Sequence, residues 1–268
     1  MRRADNCAQR VFTVEVRERY SDVVSQRWPG VVKPEPQELL SSWVHRLAIA
    51  NGIPPSSFAK TLGLGDGAST ARLDLQTPQG VARLLSHQTG VPLRTILAMS
   101  LESWTLKSLL LPLRFTVKRG SSTWLQYCPQ CLATDRSPYF RSHWRLATRV
   151  SCFIHHDGLR DSCPSCRNGI RPFDQRQISP HHLCASCGFD LRLGRKTAVT
   201  ISAQRWERAV DAICRPQTGD SSAPTGDFLA RLRGASRKLR AFPNRPLTSL
   251  SAAARRRCFD WLGETDDD

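Results

Sequence analysis

The first half of the chain carries apolar residues at helical spacing. After two prolines, four apolar side chains recur at intervals of three and four and define one stripe: Leu40, Trp43, Val44 and Leu47. This spacing predicts an amphipathic helix with a buried face, in which Trp43 anchors the core. The Asn51-Gly52 pair supplies a left-handed stop. A second short helix, from about Ser57, is expected to direct Phe58 and Leu62 into the same core.

The pattern repeats in altered form between residues 77 and 97. Pro78 suits the first turn of a helix, and three apolar positions then define its face: Val81, Leu84 and Leu85. A tight turn is expected around Gly90, and the next helix should turn Ile96 and Leu97 inward. Helix, short glycine-containing turn and helix is the outline of a helix-turn-helix. Many helical hairpins that bind no DNA share this outline.

The last part of the chain alternates helical patterns with a polar break. Four apolar residues lie near one side of a first helix: Ile201, Trp206, Val210 and Ile213. Residues 215–227 are rich in Pro, Gly, Ser and Thr, which predicts a loop. A basic helix and a last helix follow before the acidic C-terminal residues.

Basic residues outnumber acidic ones by 39 to 23, so the formal net charge is +16. Between Leu191 and Arg257 there are 15 basic and 4 acidic residues, a net of +11. Such an excess indicates a polyanionic partner, usually nucleic acid, although a basic face also suits an acidic protein. The densest set is predicted to contact phosphates: Arg231, Arg233, Arg237, Lys238 and Arg240.

Four pairs of metal-binding side chains fall within 60 residues. A spacer of two residues lets both side chains of a pair converge on one ion, and zinc takes four such ligands in a tetrahedron. Taken in sequence order, the pairs predict two structural zinc ions. One is held by Cys128, Cys131, Cys152 and His155, and the other by Cys163, Cys166, Cys184 and Cys187.

Alternatives to these two sites remain open. His156 can replace His155, and an interleaved arrangement of the pairs is geometrically feasible. Disulfides require an oxidising compartment, and nothing in the sequence suggests export. Four protein ligands leave no open position on the ion, which favours a structural role over a catalytic one. A thiol oxidoreductase that uses one Cys-x-x-Cys pair is a further alternative, and the spacing of the other pairs argues against it.

Aromatic residues alternate with arginines between the first two pairs. The aromatic residues are Tyr139, Phe140 and Trp144, and the arginines are Arg136, Arg141, Arg145 and Arg149. This interleaving suits a nucleic-acid backbone or a stacked base. We expect the aromatic side chains to cover the metal-binding turns, because such modules have little other core. For the arginines, phosphate contact and a structural role are equally compatible with the pattern.

These segments together resemble the TniQ family, which includes the target selectors of heteromeric transposons. The matching stretches are E-L-L-S-S-W-V-H-R-L-A (38–48), Y-C-P-Q-C-L (127–132), P-Y-F-R-S-H-W-R-L (138–146), C-F-I-H-H-D-G-L (152–159), C-P-S-C (163–166) and C-A-S-C-G-F-D-L (184–191). The resemblance covers about residues 33–195. A serine-tryptophan helix placed before these turns is far more specific than any single turn.

The resemblance implies a non-catalytic adaptor in the bacterial cytoplasm, associated with the nucleoid. Family proteins connect target DNA, or a DNA-bound RNA-guided effector complex, to the transposon's AAA+ ATPase, and a second copy of the chain is a further candidate partner. We hypothesise that residues 33–115 carry the main ATPase surface, with His45 and Arg46 facing outward. The alternative function is a zinc-containing DNA-binding transcriptional regulator.

The sequence thus predicts a mainly α protein with four parts. These are an N-terminal extension (1–32), a helix-turn-helix-like domain (33–115), a central double zinc-knuckle or ribbon module (116–195) and a basic helical C-terminal region (196–268). No run approaches the length of a membrane span, and the start lacks the apolar core of a signal peptide, so a soluble protein is expected. No carboxylate pair, Gly-rich phosphate loop or Ser/His/Asp set indicates an enzyme.

Overall fold

The computed structural model describes residues 27–64, 72–102, 107–112, 125–171, 175–214 and 246–264. Over these ranges the chain is mainly helical and forms no sheet, because its extended segments meet only at isolated bridges. The α-helices are α1 (Leu40–Ala50), α2 (Pro55–Thr61), α3 (Gln79–Thr89), α4 (Leu93–Ala98), α5 (Pro129–Thr134), α6 (Ile201–Cys214) and α7 (Ala252–Glu264). Short 3-10 turns lie at Lys107–Leu109, Ser142–Arg145, Leu191–Leu193 and Leu247–Ser249.

Helices α1 to α4 share one apolar core. The stripe predicted for α1 is confirmed, since none of its four members is more than 2% exposed. The Trp43 indole N–H donates to the carbonyl oxygen of Val32 at 2.9 Å, which fixes the entry segment against the helix. In α4, Ile96 is buried as predicted, whereas Leu97 is 41% exposed and its predicted inward orientation is wrong. Adjacent helical positions point about 100° apart, so this short helix turns only one of the two inward.

These helices end at the turn residues that the sequence predicted. Asn51 ends α1, and its side-chain amide donates to the carbonyl oxygens of Leu47 and Gly30, both at 2.8 Å. Gly52 and Gly90 have φ values of 67° and 72°, in the left-handed region that glycine adopts without strain. The predicted stop after α1 and the turn between α3 and α4 are both confirmed.

A second core joins the cysteine-rich part of the chain, residues 125–171 and 175–195, to the C-terminal helices. Helices α6 and α7 pack against each other, and Trp206, Val210 and Phe259 are buried in the same cluster as the cysteines. The backbone N–H of Ala252 donates to the Asp161 carboxylate at 2.8 Å, so a residue of the cysteine-rich part satisfies a free N–H of α7. Ile201, predicted near the apolar side of α6, is instead exposed at its first position.

Within the described ranges, none of the helices has the length and apolar character that crossing a bilayer requires.

Candidate metal centres and the polar network around them

Three turns of the cysteine-rich part share one hydrogen-bond pattern. They begin at Cys152, Cys163 and Cys184. In each, the backbone N–H of the first cysteine donates to the carbonyl oxygen five residues later, and the N–H four residues later donates back to the cysteine carbonyl. The residue four positions after the cysteine has a positive φ in all three turns: His156 (53°), Arg167 (61°) and Gly188 (72°). The repeated geometry turns the two ligands of each pair towards the same point.

The first candidate site combines one such turn with the start of a helix. Cys128 caps α5 and Cys131 lies in its first turn, while Cys152 and His155 come from the turn opposite. The Cys131 sulfur lies 3.5 Å from the Cys152 sulfur and 3.4 Å from the His155 Nδ1 atom. The other two sulfur-to-Nδ1 distances are 3.6 and 3.7 Å.

The second candidate site is built from two of the shared turns. Cys163 lies 3.7 Å from Cys187, and Cys166 lies 3.7 Å from Cys184, measured between sulfur atoms. All four sulfurs lie within 4.8 Å of one another. The structure therefore brings the eight predicted ligands together in sequence order, four to a site, and not in the interleaved arrangement.

Both groups of ligands fit a tetrahedral zinc ion. Zinc–sulfur bonds of about 2.3 Å place the corners of a tetrahedron about 3.8 Å apart, with somewhat shorter sulfur–nitrogen edges. The observed separations of 3.4 to 3.7 Å agree with these edges. They are too long for disulfides, whose sulfurs lie about 2.05 Å apart. The seven cysteines of the two sites are indeed free thiols.

The thiols of the first site shift one another's pKa values. Hydrogen bonding with Cys128 and Cys152, together with burial, raises the pKa of the Cys131 thiol. Hydrogen bonding with Cys128 and Cys131 lowers the pKa of Cys152. The crowded sulfurs therefore compete for protons, and a divalent cation at their centre would remove this competition.

The structure separates the two neighbouring histidines. His155 directs its Nδ1 atom into the first site, whereas His156 is exposed and adopts the left-handed conformation that closes the turn. Because His156 has this structural position, His155 is the histidine placed to act as a ligand.

The aromatic residues between the first two pairs are core residues, as expected. Phe140 and Trp144 are fully buried, and Tyr139 nearly so. Phe140 and Trp144 belong to the cysteine-rich core, and their ring centroids are 6.3 Å apart in an edge-to-face arrangement. None of the three presents a free face on which a base could stack.

Three of the four interleaved arginines are buried in ion pairs. Arg141 pairs with Asp135, Arg145 with Asp74, and Arg149 with both Glu207 and Asp211, at distances between 2.7 and 3.2 Å. Arg136 alone of the four is exposed. The open question about these arginines is therefore settled for three of them, which stabilise the fold and do not face a nucleic acid.

Asp74 joins the helical part of the chain to the cysteine-rich part. Its carboxylate accepts from the backbone N–H and the hydroxyl of Ser41 in α1, both at 2.8 Å, and from Arg145 at 2.8 Å. Both charged side chains are completely buried. Arg145 also donates to the carbonyl oxygen of Leu111. Burial raises the pKa of Asp74, and the positive charge of Arg145 opposes this rise.

A second polar network surrounds Ser42 of α1. The hydroxyl of Ser42 donates to Glu38 at 2.8 Å and accepts from the backbone N–H of Phe140 at 3.0 Å. Glu38 receives two hydrogen bonds from Arg46, at 2.7 and 2.9 Å. His181, from the second metal-site region, lies 3.1 Å from the carbonyl oxygen of Ser42. Residues distant in sequence thus meet on one face of α1.

The hypothesis that His45 and Arg46 face outward is wrong. The two residues are only 1% and 8% exposed. His45 stacks on His181 with ring centroids 4.1 Å apart, and its Nε2 atom lies 2.9 Å from the carbonyl oxygen of Ser179. Burial, and then the positive charge that His45 can carry, lowers the pKa of His181 well below its usual range. Both faces of α1 are covered, one by the helical core and the other by the cysteine-rich part.

The predicted nucleic-acid contacts fall elsewhere in the chain. Arg231, Arg233, Arg237, Lys238 and Arg240 lie outside the described residues. So do residues 1–26 of the predicted extension, which covers residues 1–32. Their phosphate contacts remain a prediction.

The sequence patterns did not predict the roles of two buried residues, Asp74 and His181. Asp74 sits in an ordinary A-R-L-D-L stretch, and His181 in P-H-H-L. Neither lies at a ligand spacing or in a repeated pattern. Their partners are 71 and 139 residues away along the chain.

One family model matches this chain. The model of the TniQ family matches residues 29–159, which include helices α1 to α5 and all four ligands of the first candidate site. A comparison with curated proteins found no match. The TniQ domain is associated with transposition target selection and is a non-catalytic accessory domain of transposition.

Proposed function

We propose, on the premise that this chain belongs to the TniQ family, that it is an adaptor for choosing transposition targets. It would connect target DNA, or a DNA-bound RNA-guided effector complex, to the transposon's AAA+ ATPase. The observation that carries the proposal is the family match, because it includes both the helical core and the first candidate metal site.

The buried polar networks support a rigid adaptor. Asp74 connects α1 to Arg145, and Ser42 connects α1 to Phe140, so the helices and the cysteine-rich part are joined by buried hydrogen bonds. Such connections hold two surfaces in a fixed mutual orientation. An adaptor needs this property if binding at one surface is to position a partner at the other.

Two zinc ions would complete the cysteine-rich part. Cys128, Cys131, Cys152 and His155 would hold one, and Cys163, Cys166, Cys184 and Cys187 the other. Each ion would have four protein ligands and no open position, so zinc here supplies folding free energy and no chemistry.

For the ATPase contact, we propose the exposed side of α3 and α4. Because α1 is covered on both faces, the partner surface within residues 33–115 must lie on other elements. Arg83 and Arg94 are exposed, and Leu97 adds an exposed apolar side chain. An apolar residue among charged neighbours is a common centre of a protein interface.

Changing that surface should strongly weaken ATPase capture. The double variant Arg94→Glu and Leu97→Ser, in the full chain, is expected to reduce co-purification with the cognate AAA+ ATPase at least about tenfold, since it removes an apolar anchor and reverses a charge. Pull-downs with and without ATP measure the effect. Arg136→Glu makes the same charge change on the cysteine-rich part and should leave capture intact.

An unchanged pull-down for the double variant would contradict this surface. Loss of capture on altering the basic set at residues 231–240 instead would reverse the proposed roles of the two ends. A chain that captures no ATPase in either nucleotide state would favour the second candidate, a zinc-containing DNA-binding regulator. The net charge of +16 favours DNA contact under both candidates.

The basic C-terminal set should contribute phosphate contacts. Arg233, Arg237 and Arg240 are spaced i, i+4 and i+7, so on a helix the three can face one backbone together. Replacing all three with alanine is expected to weaken DNA binding at low salt for every sequence. The slope of log affinity against log salt should flatten by about three, at about 0.9 per phosphate. Sequence preference should change little, because phosphate contacts position a protein without reading bases.

Binding titrations over a salt series measure this slope. A control that replaces three other exposed arginines with alanine removes the same charge: Arg83, Arg94 and Arg136. Retention of DNA affinity and slope by the C-terminal variant, with loss of a protein partner, would assign the basic set to an acidic protein surface.

A further inference from the structure

The two candidate metal sites differ in their exposure to solvent. In the first site, the three cysteines are fully buried and His155 is half-buried. In the second site, Cys187 is exposed and Cys166 is half-buried. A cavity of about 570 Å³ also borders Cys184 and Cys187, so a small molecule can approach the second site from this side. The second site is therefore the one whose ion a competing ligand can reach.

The second site also closes a loop that covers α1. The cover segment, residues 175–183, lies between the two ligand pairs of this site and directly precedes Cys184. The Nε2 atom of His181, three residues before that ligand, lies 3.1 Å from the carbonyl oxygen of Ser42 in α1. A metal ion that links the two pairs closes the loop between them. The ion would therefore also fix the end of the cover segment that carries His181.

The cover segment contacts the helical part of the chain at three positions. The carbonyl oxygen of Gln175 accepts from the backbone N–H of Ser56 in α2 at 3.1 Å. The carbonyl oxygen of Ser179 lies 2.9 Å from the Nε2 atom of His45. The ring of His181 stacks on the ring of His45, with centroids 4.1 Å apart. Because these contacts leave His45 only 1% exposed, movement of the cover segment would expose it.

We propose that the second zinc ion is exchangeable and that its loss releases the cover segment from α1. The inference rests on the zinc part of the proposed function and on no particular partner. When free zinc is scarce, the accessible second site empties before the buried first site. The contacts of Ser179 and His181 must then hold the cover segment without the metal link. The exposure of one side of α1 would thus depend on the concentration of free zinc.

The relative strengths of these interactions favour release. Seventeen residues separate Cys166 from Cys184. A cross-link around a loop of about 15 residues favours the closed state by about 100-fold. A single hydrogen bond contributes only about two- to tenfold. The metal link therefore outweighs any one contact between the cover segment and α1. The competing explanation is that the contacts together keep the segment docked after the ion has left.

The test follows zinc release from the zinc-loaded full chain into an excess of the zinc-binding dye 4-(2-pyridylazo)resorcinol. One ion is expected to leave at least about tenfold faster than the other, because release from the first site requires local opening of a buried region. Diethyl pyrocarbonate modifies accessible imidazoles, and mass spectrometry locates the modified residue. Modification of His45 should increase with the fast phase of release.

Two variants of one turn test the assignment of the fast phase. Cys187→Ser should remove this phase and leave His45 reactive from the start. Because Cys187 is exposed, serine at this position disturbs no core packing. Ala185→Ser changes an exposed residue of the same turn that is not a ligand. It should retain both phases and keep His45 protected until the fast phase.

Coupling between the ion and the cover segment must act in both directions. His45→Ala removes contacts of the cover segment from the α1 side without changing a ligand. The zinc affinity of the second site, measured by competition with the dye, should weaken about two- to tenfold, the contribution of one hydrogen bond. The affinity of the first site should not change. His87→Ala removes an exposed histidine from α3 and should leave both affinities unchanged.

The outcomes separate this device from the wider proposal. Equal release rates for the two ions overturn the exchangeable site. A fast phase without increased modification of His45 overturns the release of the cover segment, and so does an unchanged zinc affinity in His45→Ala. Fewer than two zinc ions in the fully loaded chain would overturn the zinc part of the proposed function as well. The adaptor role stands or falls separately, with the capture of the ATPase.

Discussion

Replacing Cys131 with serine should remove one of two zinc ions and unfold the cysteine-rich part of the chain. Structural zinc contributes about 10 kcal/mol or more to the folding of small modules. A typical domain has a total stability of only about 5–15 kcal/mol. Cys131 is fully buried and contacts two other ligands of the first site, so the loss of its sulfur cannot be relieved by solvent. The variant should carry one zinc per chain and be poorly soluble.

A matched control is available in the same core. Cys258 is also fully buried, but it lies in α7 and belongs to neither group of ligands. Cys258→Ser should retain two zinc ions and remain soluble. Metal analysis of the purified proteins and circular dichroism before and after chelation measure both effects. One zinc per chain in the unaltered protein, or full solubility after the metal is removed, would contradict the two-site prediction.

Breaking the buried Asp74–Arg145 pair should be the most damaging change outside the metal sites. Asp74→Asn leaves the Arg145 guanidinium fully buried without a counter-charge. Removing one partner of a buried ion pair typically costs about 3–5 kcal/mol. The free energy of unfolding, measured by urea titration of the zinc-loaded protein, should fall by that amount. Glu102→Gln removes a negative charge at an exposed position and should change it by less than about 0.5 kcal/mol.

A double variant separates pairing from packing. Asp74→Leu together with Arg145→Met replaces the pair by apolar residues, which leaves no uncompensated charge. It should recover part of the stability that Asp74→Asn loses. If the double variant were no more stable than Asp74→Asn, the hydrogen bonds to Ser41 and Leu111, and not the charge pair, would be the main contribution.

The sequence correctly predicted those structural features that are determined by residues close together in the chain. The stripe of α1, the stop at Asn51-Gly52 and the assembly of eight ligands in two groups all follow from spacings of a few residues. Such spacings determine which side chains share a helix face or a turn, whatever the rest of the chain does. The spacing therefore predicted the four pairs and their grouping in sequence order, whereas the choice of His155 over His156 needed the structure.

The errors arose where distant segments meet. An exposed side was expected for α1 because an isolated amphipathic helix has one. The cysteine-rich part covers that side, so His45 and Arg46 are buried. The arginines between the aromatic residues had two interpretations, since ion pairing and phosphate contact require the same residue type. The choice depended on acids up to 71 residues away, which no local pattern reveals.

The sequence order of the two ligand groups has a consequence for synthesis on the ribosome. The first and last ligands are 27 residues apart in one group and 24 in the other. At about 5–20 residues per second, each group is therefore complete about 1–5 s after its first ligand is made. Both ions can therefore bind without α6 or α7, because all eight ligands precede these helices in the sequence. Asp161, which later receives the first N–H of α7, lies between the groups. Helix α7, which is translated after both groups, can thus dock on a surface that has already formed around the bound ions.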